Sequence, residues 1–334
     1  MKQRTAFCTG ISGMDGSHLA DLLLEKDYKV YGLVRRHSTN ALWRIEHILD
    51  RIELVQGDLQ SSESLGKNIA LIKPDEIYNM GAQSYVKYSF EDPLMTADIT
   101  GVGALRLIEE VRQHCPTARV YQASSSEQFG KVLETPQDEE TPFYPRSPYG
   151  CAKVFAHYIM KNYRESYKMH ISCGICFNHE SERRGLEFVS RKITDGVAKI
   201  VLKQQKKIKL GNLKAERDWG YAPDYVRGMW MMLQRDEPND YVLATGRKRS
   251  VKEFLIAALD AASLPGDWRD YYEPNMAMLR PAEVDYLLGE SFKIWNDLGW
   301  NSSTTFETMV KRMYEADYNR VCQNIRNNGS KEQY

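Results

Sequence analysis

Four residues close together in the chain could do acid-base chemistry as a set. They are Ser125 and Glu127, in Ser124-Ser125-Ser126-Glu127, and Tyr149 and Lys153, in Tyr149-Gly-Cys-Ala-Lys153. Tyr149 and Lys153 are four apart, which on a helix puts them on one face, one turn from each other. Ser147-Pro148 predicts where that helix begins, since Ser is a favoured N-cap and Pro is tolerated at the first helical position. Tyr149 then falls in the first turn. There the helix N-terminus and the nearby ammonium both favour a phenolate and should pull a phenol with an ordinary pKa of about 10 toward neutrality. Such a tyrosine can take a proton from a substrate hydroxyl as hydride leaves the same carbon. Ser125 and Glu127 are two apart, so at the end of a strand they would share a face. One could then bind the substrate oxygen while the other handles a proton on a neighbouring carbon. A Tyr-x-x-x-Lys pair also suits a solvated helix surface, so the surrounding elements decide between the two readings.

Those elements begin at the N-terminus. Thr5-Ala-Phe-Cys-Thr9 reads as a short buried strand, Gly10-x-x-Gly13-x-x-Gly16 follows at once, and an apolar-periodic helix runs from Ser17 to Glu25. Strand, glycine turn and helix in that order suit a dinucleotide. The glycines allow a tight turn, close approach of backbone to the pyrophosphate and close helix packing, with the phosphates at the helix N-terminus. The spacing differs by one residue from the usual G-x-G-x-x-G, and a purely structural turn would share it. A second strand, Lys29–Val34, ends in Arg35-Arg36, where an NAD-binding protein usually places an acidic residue for the ribose 2′-hydroxyl. Two arginines there suit a 2′-phosphate, and hence NADP, although an ordinary basic loop would look alike. Gly57-Asp58, after the strand Ile52–Gln56, is placed to border the adenine, and Asn79-Met-Gly-Ala-Gln83 to line the cofactor further along the sheet.

With these motifs the chain resembles the extended short-chain dehydrogenase/reductase family and, within it, the GDP-mannose 4,6-dehydratases. The resemblance runs through Pro74-Asp-Glu-Ile-Tyr-Asn79, Thr141-Pro-Phe-Tyr-Pro-Arg-Ser-Pro-Tyr149, Asn162-Tyr-Arg-Glu165, Phe177-Asn-His-Glu-Ser181, Arg183-Arg184-Gly185, Arg191-Lys-Ile193, Gly211-Asn212, Arg217-Asp-Trp219, Arg280-Pro281 and Glu283-Val284. It implies catalytic Ser125, Glu127, Tyr149 and Lys153. It implies NADP held by Gly10, Gly13, Met14, Asp15, Gly16, Arg35, Arg36, Asp58, Leu59, Met80, Gly81, Ala82, His179 and Arg184, together with Tyr149 and Lys153. It implies a GDP-sugar held by Ser84, Glu127, Asn178, Lys192, Arg217, Arg280 and Glu283. The implied reaction converts GDP-mannose to GDP-4-keto-6-deoxymannose. Tyr149, helped by Ser125 and Lys153, takes the O4 proton as hydride leaves C4, Glu127 takes the C5 proton, water leaves C6, and the hydride returns to C6. A GDP-heptose dehydratase, or an epimerase or reductase of the same fold, is the alternative, and Glu127 beside Ser125 favours the dehydratase. The family usually has Thr at position 125, Gln at 14 and Pro at 182, where this chain has Ser125, Met14 and Glu182. The resemblance also implies a homotetramer, in which the Arg35 to Arg44 loop reaches a neighbour's cofactor, or a homodimer through the Tyr149 helix and the helix near 100–113.

The rest of the chain bounds this reading. Its 334 residues can bury a large core, and strands alternating with helices up to about residue 180 predict an α/β, Rossmann-type, doubly wound parallel sheet. Residues 1–180 should form the cofactor domain, with a returning segment around 220–255 signalled by Tyr241-Val-Leu-Ala244 and the capping box Ser250-Val-Lys-Glu253. Residues 181–334 should form most of a smaller C-terminal substrate lobe. Lys203 to Lys209 reads as a solvated helix face, and the polar tail after Tyr318 is expected to fray. Lys plus Arg and Asp plus Glu each number 45, so no global field recruits nucleic acid or an anionic membrane. No apolar run suits a membrane span and no pattern suits a secretory signal, so a cytoplasmic protein is expected. The six cysteines are scattered. Cys173 and Cys176 fall in a strand, facing opposite ways, which suits core packing rather than a metal or redox site. His179-Glu180 opens like H-E-x-x-H, but position 183 is Arg, so no metal is expected.

Overall fold

A computed structural model describes residues 3–35, 39–276, 282, 284 and 286–329. The first half of the chain builds β1 (Thr5–Thr9), α1 (Met14–Glu25), β2 (Lys29–Val34), β3 (Glu53–Gln56), α2 (Ser62–Ile72), β4 (Glu76–Asn79), α3 (Val86–Glu91), α4 (Pro93–Thr96), α5 (Gly103–His114), β5 (Arg119–Ser125), α6 (Pro148–Tyr167) and β6 (Ile171–Cys176). There follow β7 (Asn178–Glu180), α7 (Val189–Val201), β8 (Ile208–Leu210), β9 (Glu216–Tyr221), α8 (Ala222–Leu233), β10 (Tyr241–Leu243), β11 (Lys248–Ser250), α9 (Val251–Ala261), β12 (Tyr272–Pro274), α10 (Phe292–Leu298) and α11 (Phe306–Gly329).

Seven strands form one parallel sheet in the order β10-β6-β5-β4-β1-β2-β3. Strand order reverses between β1 and β4. This is the Rossmann-type doubly wound sheet, and its ligand crevice lies at the carboxyl ends of the strands beside that reversal. Helices cover both faces, so the central strands are buried on both sides, with polar Glu76, Asn79 and Gln122 included. Leu19 and Leu23 of α1 pack on one face with Tyr225, Met229 and Met232 of α8, while Leu107, Ile108 and Val111 of α5 and Met160 of α6 pack on the other. Cys176 belongs to the first cluster and Cys173 to the second, so the two thiols face away from each other as strand alternation requires.

The chain returns to the sheet with α8 and β10 and leaves it again before α9. Phe254 and Leu255 of α9 pack instead with Ile193 and Val197 of α7 and Met309 and Met313 of α11, in the core of the smaller lobe. That lobe carries a three-stranded sheet, β11-β9-β7, and a two-stranded one, β12-β8.

Local signals explain several boundaries. Ser147 Oγ accepts from Gly150 N at 3.0 Å and Pro148 opens α6. Both halves of the Ser250–Glu253 capping box form at the start of α9. Three expectations differ. Helix α1 begins at Met14 rather than Ser17, because the glycine turn itself supplies its first helical residues. The lysines after α7 lie in an exposed turn and on β8, not on a helix: Lys203 has φ of 59°, and Ile208 and Leu210 are buried between exposed lysines. Helix α11 continues past Tyr318 to Gly329, held by buried Val321 and by Asp317, which accepts from Arg191 of α7.

Candidate active site

One cavity of about 780 Å³ runs along the carboxyl ends of the sheet strands into the smaller lobe. Its floor is backbone. Gly10 has φ of +67°, and a Cβ there would lie 2.9 Å from Gly81 N, while a Cβ on Gly16 would lie 2.2 Å from Gly10 O. Glycine at both positions lets β1, the β4 loop and the N-terminus of α1 meet under a ligand. A buried network sets that loop: Thr9 Oγ1 donates to Asn79 Oδ1 at 2.7 Å and accepts from Gly81 N at 3.0 Å, and Asn79 donates to Gln122 at 2.7 Å. A π-helical segment, Ala97–Val102, adds Thr100, whose hydroxyl accepts from Gln83 N at 3.1 Å. A glycine floor, the positive end of α1 and Arg35 at the end of β2 together fit a dinucleotide.

Every described residue assigned from the sequence to catalysis, cofactor or substrate lines this cavity except Asn79, which lies buried beneath it, bonded to Thr9 and Gln122. At one end are Gly10, Gly13, Met14, Asp15, Gly16, Arg35, Asp58, Leu59, Met80, Gly81 and Ala82; in the middle are Ser125, Glu127, Tyr149, Lys153, His179 and Arg184; beyond them are Ser84, Asn178, Lys192 and Arg217. Arg36, Arg280 and Glu283 lie outside the described residues. Lys87 and Glu187 also line the cavity and were not assigned from sequence, and Arg44, expected in a loop reaching a neighbour's cofactor, lines the cavity of its own chain. Lys87 follows directly on the Asn79–Ser84 loop, a proximity that could have flagged it. The ammonium of Lys192 is pushed down by burial and then by the charge of Lys87. Of the three departures from the family pattern, Ser125 and Met14 border the cavity, whereas Glu182 lies against Tyr221, accepting from its hydroxyl at 3.1 Å.

The acid-base residues meet at the junction of β5 and α6. Ser125 ends its strand, and the next three residues form a 3₁₀ turn that it caps, its hydroxyl accepting from Glu127 N at 3.3 Å. Glu127 is therefore placed by a turn and not by strand alternation, which corrects the expected shared strand face. Gly150 lets α6 press onto that turn, since a Cβ there would lie 2.7 Å from Glu127 O. Lys153 Nζ donates to Ala123 O at 2.6 Å and sits 5.8 Å from the centroid of the Tyr149 ring. The expected drop in the Tyr149 pKa is overturned. Burial, the largest influence, pushes the phenol well above its ordinary value, the Ser125 hydrogen bond opposes it, and the Glu127 charge adds to the rise. Burial likewise brings Lys153 down to about 8. Both groups are nearly inaccessible, so desolvation of the charged form outweighs the helix terminus.

The loop after β7 is braced from several sides. Arg44 donates to Arg183 O at 2.6 Å and to Ser12 O at 3.2 Å, tying the loop to the glycine turn. Arg191 donates to both Glu182 O and Arg184 O at 2.6 Å while paired with buried Asp317. Arg184 lies over the Phe188 ring at 3.6 Å.

The family model for GDP-mannose 4,6 dehydratase matches residues 7–313. The chain belongs to that family. It is 47% identical to the GDP-mannose 4,6 dehydratase of Drosophila melanogaster, over 95% of this chain and 86% of that protein. Its fold is shared by a dTDP-glucose 4,6-dehydratase from Bacillus anthracis solved in complex with NAD, with a TM-score of 0.82 at 21% identity over 95% of this chain and 97% of that one. It is shared too by RMD from Pseudomonas aeruginosa complexed with NADPH, with a TM-score of 0.81 at 22% identity over 95% of this chain and all of the other, 100%. Among the described residues, no helix is long and apolar enough to cross a membrane, and no cluster of His, Cys, Asp and Glu could hold a metal ion.

Proposed function

We propose that this protein dehydrates GDP-mannose to GDP-4-keto-6-deoxymannose, using NADP that stays bound through the cycle. The observation that carries the reading is the meeting of Glu127 with Ser125, Tyr149 and Lys153 on the wall of the cavity whose floor is the glycine turn. Oxidation of an alcohol alone needs no second base, and Glu127 supplies one. Tyr149 takes the O4 proton, Ser125 holds that oxygen, and the Lys153 ammonium favours the phenolate. Glu127 then takes the C5 proton, made acidic by the C4 ketone, and gives it to the C6 hydroxyl as that departs as water. As hydride reaches C6, Glu127 returns a proton drawn from solvent to C5, while Tyr149 releases the O4 proton to solvent. A nicotinamide dinucleotide held over Gly10, Gly13 and Gly16 would supply the reversible hydride acceptor that the transfer from C4 to C6 needs. The sum is loss of one water with no net redox change. A solved relative in fold holds NAD and another NADPH. Arg35 on the cavity wall, with Arg36 after it in sequence, favours NADP here.

In this proposal the sheet half serves the cofactor and the smaller lobe the GDP-sugar, with Lys192 and Arg217 reaching the nucleotide. Assembly as a homotetramer belongs to it as well, with a homodimer as the alternative. The exposed Phe155 and Tyr158 of α6 support pairing through that helix. Light scattering that shows a monomer at micromolar concentration would exclude both assemblies.

Isotopic labelling tests the reaction. GDP-mannose deuterated at C4 should give product labelled at C6, and reaction in deuterated solvent should label C5. Dehydrated product without label at C6 would overturn the internal transfer, and label retained at C4 would point to an epimerase.

A further inference from the structure

His179 is held in a way that a neutral imidazole cannot satisfy. Its Nδ1 lies 2.7 Å from the carbonyl oxygen of Phe177, and its Nε2 lies 2.9 Å from Oδ1 of Asp15. Both partners can only accept, and a neutral ring carries one N–H, so serving both calls for the imidazolium. A third contact points the same way. The Tyr225 ring stacks on the imidazole with centroids 4.6 Å apart and planes 18° from parallel. An aromatic face favours a cation lying over it. Tyr225 is itself fully buried and braced edge-on by Trp300, at 5.7 Å and 86°.

The groups around the ring come from four elements. From α1 come Asp15 and, beyond it, His18, which burial brings down to about 4 and leaves neutral against Ser181. From the loop after β7 comes Arg184, which opposes a second cation; from α8, the uncharged Tyr225; from the end of β6, the Phe177 carbonyl. Across the cavity the Asp15 charge also reaches Tyr149 and Lys153. Burial opposes the His179 charge, yet Asp15 and the Phe177 carbonyl outweigh it and raise the imidazole above its ordinary value, while Asp15 is held below the ordinary carboxylate range.

We propose that Asp15 and Tyr225 are positioning residues that keep His179 an imidazolium in the ligand-free protein, so that β7 is already fastened to the diphosphate-binding turn of α1 when the dinucleotide arrives. This rests on the reading of the glycine turn as a dinucleotide site. Asp15 acts through His179: it neutralises the extra charge locally, and it pins β7 to the first turn of α1, where the backbone donors for the diphosphate begin. A contact formed in advance adds to cofactor retention because β7 need not be ordered on binding.

The experiment uses the full chain labelled with ¹⁵N-histidine, compared with Asp15→Asn and Tyr225→Leu. Asparagine is isosteric and can donate to Nε2, so it preserves the contact while removing the reason for the charge. In the ligand-free wild type at pH 7 to 8, both His179 ring nitrogens should show the protonated signature, and in D15N only one should. Calorimetry at pH 8 should show NADP binding weakened by about tenfold in D15N, because the charge-assisted His179–Asp15 bond that fastens β7 to α1 becomes a neutral one, with the deficit shrinking as pH falls. Tyr225→Leu removes the stacked ring and should lower the pH at which His179 loses its second ring proton; an unchanged titration would remove Tyr225 from the proposal. A neutral His179 in the wild type at pH 7, or equal NADP binding by wild type and D15N at pH 8, overturns the proposal alone. Failure of wild type to bind either dinucleotide overturns the reading beneath it, and the proposal with it.

Discussion

Gln128 ties the turn after β5 to α6: its side-chain amide donates to the main-chain carbonyl of Lys153 at 2.9 Å while its Oε1 accepts from Ser125 N at 3.1 Å. The side chain is fully buried, so both bonds lie where water cannot replace them. One residue thereby sets the distance between Ser125 and the helix that bears Tyr149 and Lys153.

Replacing Gln128 with Leu, which has similar bulk, should leave the fold intact but free that distance and orphan the buried Ser125 N–H. A loss of about 2 kcal/mol in stability is expected, with kcat reduced at least tenfold and KM for GDP-mannose little changed. Thermal unfolding together with steady-state kinetics checks this. A rise in KM at constant kcat would show that Gln128 serves binding rather than alignment.

Glu127 and Tyr149 should separate kinetically. With Glu127→Gln, oxidation at C4 can proceed and elimination cannot, so absorbance of enzyme-bound NADPH should rise with little dehydrated product. Tyr149→Phe should block the first step and show neither. Equal accumulation in both variants would mean that the two roles are misassigned.

Lys153 titrates near 8 because burial disfavours its charge. The ammonium that favours the Tyr149 phenolate is thus lost as pH rises through about 8, and kcat/KM should fall above that value. The same burial penalises the folded state while Lys153 is charged. The unfolded chain binds the extra proton between about 8 and the ordinary lysine value of about 10.4, so this group's contribution to stability rises with pH across that window. Lys153→Met should therefore abolish turnover yet unfold at a temperature no lower than wild type at pH 7. Retained activity above pH 9 in wild type would contradict the assigned value.

Arg35 and Arg36 bear on the choice of dinucleotide. Replacing both with Ala should weaken NADP binding by more than tenfold, since one charge-assisted contact is worth roughly 1.5 to 3 kcal/mol, and leave NAD binding nearly unchanged. Equal losses for the two cofactors, measured by fluorescence titration, would remove the 2′-phosphate from the argument.

Much of this protein could be read from its sequence because the governing interactions are local. The order of strand, glycine turn and helix depends on residues within one turn of each other. So does the Tyr149–Lys153 spacing, and so do the Ser147 and Ser250 caps. What the sequence misjudged depends on surroundings supplied by distant segments. Tyr149 sits at a helix N-terminus as its neighbours require, but its pKa moves upward because segments remote in the chain bury it, and no local pattern encodes that desolvation. Glu127 follows a strand in sequence yet is placed by a capped turn pressed against α6 at Gly150. Asp15 and His179 are 164 residues apart, and only the packing of β7 and α8 onto α1 makes them a pair. Short-range backbone geometry fixes which groups the site contains; long-range packing sets their charge states and their distances, since both depend on what each group is buried against.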